Sequence, residues 1–182
     1  MIVVAWGIAA VGVVGAPEAT GVLFPGDQRE LASPGGKFVV VNVDLDEPDA
    51  AGLFHRLILE DKASRRELSV YPYGRWVEAL WAPDDAWLAI TDGEGSDSTK
   101  CRLVDPRRPK VVLELFDALR AVRPRELGQD HTAVVCTGWS GPDAVRVRAY
   151  GYGPGRFCLN GIYDVRSRAF RAVADCPPDR IR

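Results

Sequence analysis

Trp81-Ala82-Pro83-Asp84-Asp85-Ala86-Trp87-Leu88-Ala89-Ile90-Thr91 is the stretch on which the reading of the chain turns. Pro83 presets φ at the second position of a turn, and Asp84 and Asp85 suit a tight corner ahead of an apolar strand. The run Trp76-Val77-Glu78-Ala79-Leu80 before it supplies the preceding strand. Weaker copies lie on both sides. Upstream, Arg29-Glu30-Leu31-Ala32 leads through Ser33-Pro34-Gly35-Gly36 into Lys37-Phe38-Val39-Val40-Val41-Asn42. Downstream, Thr132-Ala133-Val134-Val135-Cys136 leads through a turn around Ser140-Gly141-Pro142-Asp143 into residues 144–150. Each copy is followed by a second hairpin, with turns at Asp61-Lys62-Ala63-Ser64-Arg65-Arg66, Asp105-Pro106-Arg107-Arg108-Pro109 and Val165-Arg166-Ser167-Arg168. Short β-branched runs bounded by Gly, Pro and Asp predict an all-β antiparallel fold, here three four-stranded units at about 28–71, 76–115 and 130–176.

The strand, Pro-Asp turn, strand unit around Pro83 resembles the repeat of TolB-like (PD40/WD40-like) β-propellers. The resemblance implies blade-like units and a partial, about three-bladed propeller; it implies no activity, because such repeats serve unrelated functions. Three units do not close a ring, which typically needs four or more. The arrangements left open are a half-propeller with covered edges, a homodimer completing a six-bladed ring, and a β-sandwich or barrel. Residues 21–24 are expected to shield an open edge as an extra strand. Between the second and third units, Leu115, Phe116, Leu119 and Val122 recur at helical spacing, which predicts a short connecting helix ended by Pro124.

The 182 residues carry a formal net charge of −2 and are 47% apolar, enough for one buried core in a single domain spanning 17–182. The absence of a basic excess argues against a nucleic-acid partner. Residues 1–16 are apolar, uncharged and rich in small side chains, as in a signal peptide cleaved near Ala16. A membrane anchor and a buried first strand or helix are the alternatives, and the run is short for a span, so no integral membrane protein is expected. A periplasmic or secreted location follows. Cys101, Cys136, Cys158 and Cys176 are even in number and contain no C-x-x-C pair. Folding the last hairpin symmetrically about Ser167 sets Cys158 opposite Cys176 at a non-hydrogen-bonded position, which leaves Cys101 for Cys136. Four free thiols in a cytosolic protein is the competing reading.

In a blade-like unit the loops between second and third strands, and the connections between units, emerge together. That face gathers Asp44, Asp46 and Glu47; Asp92, Glu94 and Asp97; Tyr73 and Arg75; and Tyr150, Tyr152 and Arg156. Acidic loops are most often solvated turns, and Asp92, Glu94 and Asp97 lack the ligand ladder of an EF-hand, so no metal or other cofactor is expected. Exposed tyrosines beside glycines, however, form contact surfaces at low entropic cost. The opposite face gathers the basic hairpin turns, which serve as edge protection or as contacts for anionic glycan or lipid. Gly138-Trp139-Ser140-Gly141 runs into Pro142 and fails the nucleophile-elbow pattern. Asp130 and His131 offer a base and its orienter with no nucleophile beside them, which makes a hydrolase the weaker expectation. The leading expectation is an exported binding protein that recognises a cationic protein partner through the acidic and tyrosine loops, of the inhibitor or immunity-protein type. A structural envelope protein is the third.

Overall fold

The computed structural model describes residues 21–95, 98–152 and 155–176; the expected signal segment 1–16 and Asp97 lie outside them. The described chain forms three antiparallel sheets and no closed barrel. The first sheet is the meander β2 (Glu30–Ala32), β3 (Phe38–Asp44), β4 (His55–Asp61) and β5 (Arg66–Tyr73). The second is β6 (Val77–Trp81), β7 (Leu88–Asp92), β8 (Lys100–Val104) and β9 (Val112–Glu114), with β1 (Val22–Phe24) added at the β6 edge. The third is β10 (Thr132–Gly141), β11 (Ala144–Gly151), β12 (Phe157–Asp164) and β13 (Ala169–Asp175). The extra strand expected at 21–24 thus pairs with the middle sheet, Val22 opposite Ala79 and Phe24 opposite Val77, and Phe24 is fully buried there.

Period-2 alternation explains the packing. On β7, Leu88 and Ile90 face the first sheet, in a core shared with Phe38, Val40, Leu57, Leu59 and Trp81. Ala89, on the other face of β7, joins Leu80, Cys101, Val134, Val147 and Tyr163 in a second core against the third sheet. Each core lies between two sheets, so each sheet is held by its neighbour.

The turns at Pro34 and Pro83 are the same structure. Ala32 pairs with Val39 and Trp81 with Leu88, and Gly36 and Asp85 occupy the same left-handed corner at φ 71° and 60°. Pro142 does not belong to that class. Register shifts beside Thr137 and Ser140 lengthen β10 until Gly141 pairs with Ala144, leaving a corner of Pro142 and Asp143 alone. The second hairpin turns repeat as well: Asp61 Oδ1 accepts the Ser64 N–H and hydroxyl, and Asp164 Oδ1 accepts those of Ser167.

Both disulfides are present, Cys101–Cys136 between the second and third sheets and Cys158–Cys176 across the last hairpin. Two features of the second differ from the sequence reading. The hairpin closes with Asp164 opposite Ala169, so its symmetry lies between Arg166 and Ser167; a register shift between Asn160 and Gly161 leaves Val173 unpaired and restores Leu159 opposite Asp175. The Cys176 N–H also donates to the Cys158 carbonyl at 3.3 Å, so the pair is hydrogen-bonded rather than non-hydrogen-bonded.

The connecting helix is α1 (Leu115–Val122), followed after Arg123 by the short α2 (Pro124–Leu127). Leu115, Leu119 and Leu127 are buried in the second core. Val122, the last residue of the helix, is 55% exposed, contrary to its expected place on the apolar face. Among the described residues no helix is long and apolar enough to cross a membrane.

Candidate functional site

One end of the three sheets carries the loops singled out above. His55 pairs with Tyr73 at the end of the first sheet and Val77 with Asp92 at the end of the second. The connection after β7 returns through Thr99, whose carbonyl accepts the Val134 N–H at 2.8 Å at the start of the third. The Tyr152 N–H then donates to the His131 carbonyl at 3.1 Å. The Gly93 N–H donates to the Trp76 carbonyl at 3.1 Å, so backbone hydrogen bonds join the connections after β5, β7 and β11 into a rim.

Between the first and second sheets the rim opens into a recess of about 410 Å³, with Leu53, Pro72 and Tyr73 on one wall and Asp92, Glu94 and Arg102 on the other. Tyr71 and Tyr73 share a face of β5, and both reach the recess. The Tyr71 hydroxyl donates to Asp92 Oδ2. Asp92 is only 5% exposed, and its Oδ1 is buried with no hydrogen-bond partner. Burial raises the Asp92 carboxyl above its ordinary value and the neighbouring Glu94 adds to this, against the lowering effect of Tyr71 and Arg102. The Tyr71 phenol is raised by burial and by Asp92.

Arg102 lies over the Tyr71 ring at 4.7 Å from its centroid and is paired with Glu94 at 3.6 Å and Glu114 at 3.5 Å. Lys100 holds Glu94 at 2.7 Å. Behind the Tyr71–Arg102 pair lies a separate apolar cavity of about 260 Å³ between the two sheets, with half-exposed Val70 and Val112 among its lining residues.

Beside the recess, the Tyr73 hydroxyl donates to Asn42 Oδ1 at 2.5 Å, and Asn42 donates to Asp44 Oδ1 at 3.0 Å. Asp44 also binds Arg29 and, at 2.8 Å, His55 Nδ1. The Arg29 guanidinium, with His55 and Asn42, holds the Asp44 carboxyl down to about 2. The His55 ring stacks on Tyr73 at 5.0 Å. On the third sheet Tyr150 and Tyr152 meet edge to face at 5.2 Å, and Tyr152 is 43% exposed. Burial and the bond to Tyr150 push the Tyr152 phenol up to about 12.

Of the residues anticipated from sequence, Tyr73, Asp92 and Glu94 converge in the recess, and Asp44 stands beside it. Asp46 and Glu47 are exposed in the loop after β3, Arg75 in the connection after β5 and Arg156 before β12. Asp130 and His131 share a shallow depression with Ser98, Phe116, Gln129 and Thr132. Three of the basic turn arginines are engaged locally, Arg65 by Glu60 at 3.1 Å, Arg108 by Asp105 at 2.8 Å and Arg166 by Asp143 at 2.6 Å. Arg102 and Asn42 escaped the sequence reading, and Tyr71, which the sequence sets on this face in the stretch running to Arg75, was not singled out by it. The signal for Tyr71 was its period-2 relation to Tyr73, and for Arg102 a cation set between the buried Cys101 and Leu103.

Compared with known proteins, the chain matches no family model and no curated sequence.

Proposed function

We propose that the protein is an exported binding protein, built from TolB-like blade units in a partial propeller, which recognises another protein through the rim of tyrosines and carboxylates. The observation that carries this reading is the clustering of Tyr71, Tyr73 and Asp92 in one open recess, with the Tyr150–Tyr152 pair on the same connected rim. Rigid aromatics of this kind supply large contact area with few rotors, and surrounding carboxylates favour a cationic surface and speed its approach. Two disulfides suit an oxidising compartment, in agreement with a periplasmic or secreted location. A partner that completes a blocking complex, as in an inhibitor or immunity protein, needs no chemistry from this chain.

The test is capture from an envelope extract on immobilised oxidised protein, run beside Tyr152→Ala and beside the reduced protein. A partner retained by the wild type and lost, or weakened by more than about 1 kcal/mol, with Tyr152→Ala supports the reading. A partner bound equally by both would place recognition elsewhere and overturn it.

A further inference from the structure

Protein interiors close-pack, with few voids larger than a water molecule. The cavity of about 260 Å³ between the first two sheets departs from that rule. Its walls are aliphatic on both sides, with Val40, Leu57 and Leu59 from the first sheet and Leu88, Ile90 and Val104 from the second. A buried water is held by several polar partners, which walls of this kind do not offer. The cavity reaches the margin of the sheets, since β5 and β9 are edge strands and Val70 and Val112, each 41% exposed, belong to its lining. These two strands are not paired with each other, so a molecule entering between them breaks no ladder hydrogen bond.

The size and the charges of the lining narrow the ligand. An apolar cavity of about 150 Å³ already admits benzene, so this one has room for about ten non-hydrogen atoms. Two charged residues reach the lining, Arg102 and Glu114, which sit opposite each other on β8 and β9 and pair at 3.5 Å. Arg102 is also stacked on the Tyr71 ring and paired with Glu94. A carboxylate entering the cavity would compete with Glu114 for the guanidinium, and an ammonium would compete with Arg102 for Glu114. Either ion would also give up its hydration to aliphatic walls, a cost that a neutral molecule does not meet. We infer that the cavity is a binding site for an uncharged, mainly hydrocarbon small molecule, separate from the rim assigned above to a protein partner.

Nuclear magnetic resonance titration of the oxidised protein, labelled at its Ile, Leu and Val methyl groups, tests this with 1-octanol as the probe and with octanoate and octylammonium as charged counterparts carrying the same chain length. The expected result is a saturable shift with 1-octanol centred on the methyls of Val40, Leu57, Leu59, Leu88, Ile90 and Val104, with both charged probes weaker by about tenfold or more. Ser69→Leu adds an apolar side chain to the lining from the edge strand β5 and is expected to weaken 1-octanol by about tenfold or more. Three results would each overturn the site: no saturable shift at these methyls, a charged probe that binds as tightly as 1-octanol, or a folded Ser69→Leu that binds 1-octanol as the wild type does. The comparison of probes uses the wild type alone, so it decides the matter even where Ser69→Leu does not fold. Neither arm involves Tyr152 or a captured protein, so a silent cavity would leave the binding reading standing and reject this one.

Discussion

Asp85 shows how much a single side chain can carry in this fold. It occupies the left-handed corner at φ 60°, where most L-residues are strained but Asp is tolerated. It is also 2% exposed, and its Oδ1 accepts the Gly35 N–H at 2.8 Å from the equivalent turn of the first sheet. A Cβ at Gly35 would lie 2.3 Å from the same carboxylate, so the neighbouring turn needs glycine as its counterpart. Asp85→Ala removes the bond and keeps the strained φ; it is expected to cost about 2 kcal/mol in urea unfolding, with Asp85→Asn milder. The corner was readable from the sequence, but the contact between turns was not, since nothing local says which sheet lies across. Asp92 is the opposite case. Its raised carboxyl means that the native state binds more protons than the unfolded chain, so stability falls as pH rises from the ordinary 3.8 through the folded value. Tyr71, Glu94, Lys100 and Arg102 face it, and Asp92→Asn should lift the melting midpoint at pH 7 by a few degrees, an advantage that disappears below pH 3.8. Asp44 behaves with the other sign: its depressed value contributes stability that is complete above 3.8 and lost as pH falls through about 2. Arg29→Ala should return the Asp44 titration, followed by carboxyl resonances, toward 3.8.

Elements repeat their contacts as well as their shapes. The Trp81 indole N–H donates to the Leu31 carbonyl at 3.2 Å, and the Trp139 indole N–H donates to the Leu80 carbonyl at 3.4 Å. Leu31 pairs with Val40 and Leu80 with Ala89, the matching places in two successive units, so each tryptophan fastens its own sheet to the one before. The sequence exposed the units because prolines and aspartates punctuate them. It concealed the third unit's different turn, because β10 absorbs its extra residues as bulges that no residue type announces. The disulfides belong to this scale. Cys101–Cys136 closes a separation of 35 residues and joins two sheets, while Cys158–Cys176 closes 18 within one hairpin. Loop closure gives about 4 kcal/mol for the first and about 3 kcal/mol for the second. Paired serine substitutions compared by denaturant unfolding should therefore show the inter-sheet bond as the larger loss; equal losses would mean that the joint between the sheets owes little to Cys101. Pairing Cys158 with Cys176 was legible from hairpin symmetry, although the chain reaches that register only through the bulge at Val173.

Across the whole molecule, strand order sets the connections after β5, β7 and β11 along one end of the sheets, whereas the recess there depends on side chains from two sheets meeting at Tyr71 and Asp92. Meander topology sets the rim, and packing sets the recess; only the first can be read from residue order. The affinity of the rim for a partner should rest on its aromatics, so neutralising exposed Asp46 is expected to slow association at low salt and to change the dissociation rate little, as stopped-flow measurements would show. The placement of β1 reaches further than edge protection. Val22–Phe24 belongs to the middle sheet, yet the entire first sheet is threaded between it and its partner β6. As the chain is synthesised, β1 comes out before every other described strand and must wait through the whole first meander before Val77–Trp81 exists to receive it. A nascent chain stopped at Tyr73 therefore holds Phe24, destined for full burial, with its strand partner still unmade.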